Sequence, residues 1–568
     1  MDRCSHANAP ALRVGFLLVL SATAACGNEA PEVSTPGPGP RPVFTDITEA
    51  AGLRLSASPP ERRDYYMPES AGSGGALFDY DGDGDLDVYV VRGARGPRRR
   101  EGVNRLFRQD GGRFVDVTEG AGLGDPGYGM GVAVGDVDND GDPDVFVTNV
   151  GPDALYLNDG DGSFRAAPAG ALPSADTPWS SSATFLDYDL DGDLDVYVVR
   201  YVAGYEHVTC PDEAGRPDYC GPQSFHGVPD ALYRNRGDGT FEDVSGPAGI
   251  DAPASNGLGV ASADLSGDGW PDIYVANDGE ANFLWVNRGD GTFRDEAGPR
   301  GAALNAMGLP EASMGVAIGD IEGDGDLDLF LTHLSGESNT MYRTEGPSLR
   351  DDTAPLGLRG PGLPYTGFGT AFLDVEADGD LDLIVANGRI ARRPGLAESG
   401  GADFWAAYAE PNLVFLNEGD GVYRDARLAG PGFRDDVRTS RGLATGDIDD
   451  DGDTDVLIVN AMGSRLRLLR NDTPGGHWLR LLIRDPARRR VALGARFEVH
   501  VGPDVHAGVV SRGFSYLSSS DPRPVVGLGA VTRVDSVIVE WPGGAREHFE
   551  GGPADRERIL LRGAGTRE

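Results

Sequence analysis

The chain has 568 residues, 84 of them Gly and 39 Pro, and carries a formal charge of −40 from 90 acidic and 50 basic side chains. A chain this acidic has no basic patch to meet a phosphate backbone, so nucleic acid is not an expected partner. Every basic residue is Arg; with no Lys, a P-loop lysine and a Schiff-base lysine are both excluded.

Residues 1–26 have the pattern of an export signal: Arg3 and Arg13 lead into the apolar run 14–20, followed by small residues up to Cys26. That run is too short to stay in a bilayer as a spanning helix. Ser21-Ala22-Thr23-Ala24-Ala25-Cys26 resembles a bacterial lipobox, in which the Cys is lipidated. The aliphatic residue usual three places before the Cys is Thr23 here, and ordinary signal cleavage is the alternative. Residues 27–42 form a Pro/Gly tether with nothing to bury.

Asp79-Tyr80-Asp81-Gly82-Asp83-Gly84-Asp85-Leu86-Asp87 then opens a series of seven nonapeptides, the others starting at Asp136, Asp187, Asp264, Asp320, Asp374 and Asp447. Oxygen ligands at alternate positions can converge on one hard cation, and Ca²⁺ takes six to eight oxygens. The candidate ligands are Asp79, Asp81, Asp83, Asp85 and Asp87 in loop 1, and Asp136, Asp138, Asp140, Asp142 and Asp144 in loop 2. Loop 3 offers Asp187, Asp189, Asp191, Asp193 and Asp195; loop 4 offers Asp264, Ser266, Asp268, Trp270 and Asp272. Loop 5 has Asp320, Glu322, Asp324, Asp326 and Asp328, and loop 6 has Asp374, Glu376, Asp378, Asp380 and Asp382. Loop 7 has Asp447, Asp449, Asp451, Asp453 and Asp455. The seventh residue ligates through its backbone carbonyl, so its side chain is free to vary from Asp85 to Trp270. The sixth is Gly in every copy, where the chain must turn with positive φ.

Position twelve falls in a strand-like run, so these are not EF-hands. Asp/Gly-rich stretches are often only turns between strands; seven copies sharing one Gly and one final Asp point to bound Ca²⁺, up to seven ions. The loops hold 34 of the acidic side chains, which accounts for most of the charge. Loop 4 is the expected weakest site, because Ser266 replaces a carboxylate. Affinities of about 10⁻⁴–10⁻³ M are expected, as in other extracellular calcium modules.

Each loop runs into a β-branched strand, and a second phrase recurs between loops: Leu155-Tyr156-Leu157-Asn158-Asp159-Gly160-Asp161-Gly162, with counterparts ending at Gly239, Gly291 and Gly421. Two strands around an Asn/Asp/Gly turn predict a hairpin. The Arg-Gly-Asp tripeptides at Arg236 and Arg288 lie in this phrase and are set by its turn. Strand, loop, strand and hairpin make four-stranded units, and seven of them predict an all-β chain with a seven-bladed β-propeller over 43–475. The phrase 44–53 repeats 114–123, the end of a unit, but precedes loop 1. Residues 43–48 are therefore expected to supply the outer strand of the last blade. A second, small all-β module is expected over 476–565, with Trp478 and Trp541 in packing roles rather than as a ligand platform.

Cys4 leaves with the signal and Cys26 carries lipid, so Cys210 and Cys220 are left to form a disulfide in an oxidising compartment. The inter-loop segments 201–228 and 389–410 are longer than the others, and long insertions often carry function. Tyr219, Phe225, Arg392, Arg393, Trp405 and Tyr408 there are candidates for a partner-binding face toward a protein or glycan. The alternative is loops packed on their own blade.

The loops resemble FG-GAP/VCBS repeats, and the whole arrangement resembles the cartilage acidic protein family, whose propeller is followed by an ASPIC/UnbV domain. The second match rests on Gly494-Ala495-Arg496, Gly513-Phe514-Ser515-Tyr516, Gly527-Leu528-Gly529 and Val539-Glu540-Trp541-Pro542-Gly543-Gly544. The resemblance implies an extracellular calcium-binding module with no single agreed activity. The Asn-Gly-His signature of bacterial relatives stands here as Asn387-Gly388-Arg389. No H-E-x-x-H or G-x-S-x-G motif is present, and the eight His lack ligand spacing. The expected function is thus a non-enzymatic, exported, monomeric binding or scaffold module at the cell envelope, touching membrane only through its lipid. The rival is a polysaccharide-active propeller using funnel carboxylates.

Overall fold

The computed structural model describes residues 42–55, 65–93, 103–173, 179–206, 208–212, 214–392, 404–417, 419, 421–426, 433, 437–463 and 465–567. The export signal, Cys26, most of the tether and Arg393 lie outside these residues.

Seven four-stranded antiparallel sheets follow one another along the chain. In the first, Gly75–Phe78, Asp87–Val90, Arg105–Gln109 and Phe114–Asp116 pair in sequence order. The first strands of the others are Gly129–Gly135, Ser180–Leu186, Gly257–Ala263, Val316–Gly319, Gly367–Leu373 and Ser440–Gly446. Each first strand packs against that of the next sheet, and the seventh returns to the first, so the sheets close a ring. These strands are rich in Gly, Ala, Ser and Val, which lets them crowd around a common axis, and nearly all their residues are buried. The apolar second strands, such as Val145, Phe146 and Val147, bury both faces between neighbouring sheets.

The seam closes as the repeated phrase predicts: Phe44–Asp46 is the outer strand of the seventh sheet, with Phe44 opposite Asn471 and Asp46 opposite Leu469. Ile47 N donates to Leu468 O at 3.0 Å, and Arg467 pairs with Asp46 at 3.0 Å. Joining the two ends of the chain in one sheet removes an open edge.

From His477 the chain builds two further sheets. His477–Asp485 pairs with Val525–Gly529 and, in parallel, with Arg556–Leu561; a five-stranded sheet contains Arg496–Val501, Asp504–Val509, Arg533–Trp541 and Ala545–Pro553. Their shared core holds Leu481, Ile483, Val499, Val537, Trp541 and Leu560. Trp541 is thus core, while Trp478 lies against Gly452 of loop 7. Both take packing roles.

This second module sends residues 513–520 into the ring. Ser519 exchanges backbone bonds with Gly75 and Leu77 of sheet 1 (3.0 and 3.1 Å), and Leu517 O accepts from Val132 N of sheet 2 at 3.1 Å. Ser182 Oγ of sheet 3 takes the Leu517 N–H at 3.2 Å, Ser515 pairs with Val316 of sheet 5, and Asp521 N reaches Thr445 O of sheet 7. A segment bonded to first strands on opposite sides of the ring must lie on its axis. The funnel in which the rival reading placed an acid–base pair is therefore filled by Ser515, Tyr516, Leu517, Ser519 and Ser520, all buried.

Candidate metal centres

The nonapeptides join first to second strands, so all seven lie at one end of the ring, facing the C-terminal module. The insertions join second to third strands and lie at the other end.

Within a loop the aspartates have distinct jobs. The first accepts the N–H of the sixth-position Gly: Gly84 N to Asp79 is 3.0 Å, and Gly141, Gly269, Gly325, Gly379 and Gly452 repeat this at 2.8–3.0 Å. Positive φ at Gly84 (99°) and Gly141 (108°) aims that N–H inward, a conformation a side chain would strain. The fifth aspartate accepts the N–H of the seventh residue, as from Asp85 to Asp83 at 3.0 Å and from Asp453 to Asp451 at 3.0 Å.

The ninth aspartate staples the loop to its sheet. Asp87 takes the N–H of Tyr80 at 3.0 Å and of Gln109 at 2.8 Å; Asp144 takes Val137 and Asn158, both at 2.8 Å; Asp455 takes Ile448 at 2.8 Å and Asn471 at 2.7 Å. This structural duty was not foreseen from the sequence.

In four loops the first, third and ninth carboxylates converge, with oxygens within 4.8 Å of one another: Asp79, Asp81 and Asp87; Asp136, Asp138 and Asp144; Asp187, Asp189 and Asp195; Asp447, Asp449 and Asp455. The fifth and seventh side chains (Asp83 and Asp85, for example) are not in these groups. Among the described residues loops 4, 5 and 6 form no such triplet. In loop 4 Ser266 stands at the third position. In loop 5 the longer Glu322 reaches Arg343 at 3.3 Å.

Bringing these groups together out of water is costly. Burial pushes the carboxyls of Asp87, Asp144 and Asp328 up to about 8 and that of Asp195 to about 9, with further upward pressure from neighbouring carboxylates against the backbone N–H bonds that favour the anion. Burial drives Asp382 and Asp455 well above the ordinary range, again with neighbouring carboxylates adding to it. Among the described residues, Asp81 Oδ1, Asp138 Oδ1, Asp187 Oδ1, Ser266 Oγ and Asp447 Oδ1 are buried and have no hydrogen-bond partner. Such orphaned oxygens are rare. A Ca²⁺ ion coordinates oxygens at about 2.3–2.6 Å and would bring these groups the positive charge that a water molecule lacks.

The loops are also tied to one another around the ring. Asn158 Nδ2 of sheet 2 donates to Tyr80 O in loop 1 at 2.8 Å, Asn235 to Val137 O at 2.7 Å, Asn287 to Tyr188 O at 2.8 Å and Asn471 to Val375 O at 2.9 Å. Gln109 does the same across the seam, to Ile448 O at 3.1 Å. The recurring Asn of the hairpin phrase was the visible signal for this link. The Arg-Gly-Asp aspartates sit in the expected turns, Asp238 accepting from Thr240 and Asp290 from Thr292.

At the opposite end, Cys210 and Cys220 form a disulfide. In their described residues the two insertions pack on each other. Tyr219, Arg392 and Tyr408 are buried against one another: Tyr408 Oη donates to Asp218 at 2.7 Å, Arg392 N to the same carboxylate at 2.9 Å, and Trp405 stacks on Tyr219 with ring centroids 6.2 Å apart. Aromatic area and an internal Arg–Asp contact outweigh exposure, so the insertions close on each other over Tyr65, where the sequence suggested a partner surface. Trp405 and Phe225 remain half-buried.

With this geometry in hand, comparison with known proteins assigns the class. A profile for FG-GAP-like repeats matches residues 79–147, 136–198, 214–275 and 264–331, and one for the ASPIC and UnbV domain matches 485–567. The chain is an FG-GAP-like repeat β-propeller with a C-terminal ASPIC and UnbV domain. It is similar to human cartilage acidic protein 1, at 26% identity over 529 residues, covering 89% of this chain and 72% of the relative. The mouse protein of that name matches equally at 26% over 530 residues, covering 89% and 74%. Among solved structures, one described as BBS1N in complex with ARL6DN aligns over 76% of this chain and 97% of its own, at 12% identity and a TM-score of 0.40.

Proposed function

We propose that this protein is an exported calcium-binding propeller that works as a binding or scaffold module, without catalysis of its own. The observation that carries the reading is the set of buried oxygens, Asp81 Oδ1, Asp138 Oδ1, Asp187 Oδ1 and Asp447 Oδ1, each orphaned inside a group of three carboxylates. A divalent cation supplies both the missing partner and the missing charge. The disulfide fits an oxidising compartment, and lipidation at Cys26 would hold the ring at the envelope by a flexible tether. A protein or glycan ligand has to meet the ring on its outer surface, since the axis is filled.

Isothermal titration of the metal-stripped full chain with Ca²⁺ and with Mg²⁺ tests this. Several Ca²⁺ ions per chain with weak Mg²⁺ binding are expected; a chain that takes up no Ca²⁺ at millimolar concentration ends the proposal.

A further inference from the structure

Among its contacts with the loops, the C-terminal module meets one point repeatedly, the carbonyl of the sixth-position Gly. Arg488 Nε donates to Gly192 O of loop 3 at 2.9 Å, and its Nη2 to Asp191 O at 3.2 Å. Gly543 N donates to Gly269 O of loop 4 at 3.2 Å, Arg496 Nη2 to Gly325 O of loop 5, and His506 Nδ1 to Gly379 O of loop 6 at 3.1 Å. Four successive loops are thus held by donors from strands and turns that share no repeat. Among the described residues the Gly84, Gly141 and Gly452 carbonyls of loops 1, 2 and 7 have no such donor.

The peptide plane from the sixth to the seventh residue carries this carbonyl on one side. On the other side its N–H holds the fifth carboxylate: Asp193 N to Asp191 is 2.9 Å, Trp270 N to Asp268 3.0 Å, Asp326 N to Asp324 2.9 Å and Asp380 N to Asp378 3.1 Å. The same plane sets where the seventh carbonyl points. A donor that fixes the plane from outside therefore fixes two candidate ligand groups at once.

Resting on the calcium reading above, we infer that Arg488, Arg496, His506 and the Gly543 N–H are positioning groups for the cation sites of loops 3 to 6. The C-terminal module is in this sense the outer shell of those four sites. Of the four, loop 3 has its carboxylate triplet, while loop 4, with Ser266 at its third position, and loops 5 and 6, with the longer Glu322 and Glu376, form none among the described residues. External orientation matters most where the loop's own ligands are least convergent. Outer-shell partners of this kind change metal affinity by about tenfold or more.

The test follows hydrogen exchange of the loop peptides in the full chain as free Ca²⁺ is raised, for wild type, Arg496→Met, Arg496→Lys and Arg488→Met. Met keeps the length of the side chain and removes the donors. In Arg496→Met the Ca²⁺ midpoint of loop 5 should rise about tenfold, with that of loop 1 unmoved; Arg496→Lys should recover most of the difference. Arg488→Met should act likewise on loop 3. An unmoved loop 5 midpoint, or an equal shift in all loops that marks general loosening, overturns the inference while leaving calcium binding in place. A wild-type chain whose loops gain no protection from Ca²⁺ overturns the calcium reading, and the inference with it.

Discussion

The two ends of the ring are held together by opposite means. At the insertion end the buried guanidinium groups meet partners within the chain: Arg441 donates to Ser70 O, Gly388 O and Arg389 O at 2.6–3.0 Å and stacks 3.9 Å over Phe368, Arg392 pairs with Asp212, and a covalent bond joins Cys210 to Cys220. At the loop end carboxylates face each other, and the arginines above them mostly contact backbone carbonyls. Arg480, 2.7 Å from Asp447, and Arg490, 2.8 Å from Asn139 Oδ1, reach loop side chains instead. One end is complete as a polypeptide; on the calcium reading proposed above, the other is completed by an ion. A ring can carry both because each sheet runs the full distance between its ends.

Removing the ion should break the symmetry most. Each occupied site at a twentyfold excess of free Ca²⁺ over Kd stabilises the fold by about 2 kcal/mol. Full chelation should lower the melting temperature on the order of 10 °C, read by calorimetry, with exchange rising in the loops and not around Arg441. Equal loosening at both ends would erase the comparison.

Acidity sharpens it. In chelator the folded chain binds more protons than the unfolded one, because Asp87, Asp144 and Asp328 stand near 8 in the fold, against about 4 in an open chain. Their contribution is fully present below about pH 4 and is lost as pH rises through about 8. Metal-free stability should thus fall steadily across that window in urea titrations, and Ca²⁺ should flatten the profile.

Single substitutions separate ligand from staple. Asp87→Ala orphans the Tyr80 and Gln109 N–H groups and should cost about 2–4 kcal/mol even in chelator. Asp83→Asn should weaken Ca²⁺ binding at loop 1 with little change in the metal-free melt. Smallest in its dependence on Ca²⁺, Cys210→Ser with Cys220→Ser should cost about 2–3 kcal/mol equally with and without the ion, since it acts at the other end.

Much of this was legible because repeats multiply weak signals. One Asp/Gly-rich turn says little, but seven with a common Gly placed the loops, their strands and the seam at Phe44. The division of labour among aspartates was not legible: the ninth position looks like a ligand in the sequence, and only pairing across the sheet shows that it also carries Tyr80 and Gln109. The mutual packing of the insertions was illegible for a related reason. Tyr219, Trp405 and Tyr408 have the composition of a contact surface, and nothing local announces that 201–228 and 389–410 meet each other. The segment 513–520 gave no sign of its place either, since its partners Gly75, Val132 and Val316 lie hundreds of residues upstream.

That last distance constrains how the molecule is made. Gly75 is among the earliest parts of the ring to leave the ribosome, yet it is finished by Ser519, and Phe44 by Asn471. No wedge at the seam can settle until nearly the whole polypeptide has been delivered, so a chain exported as proposed above would cross its membrane still open. On that reading assembly would begin where the tail arrives, among the ions of the outside.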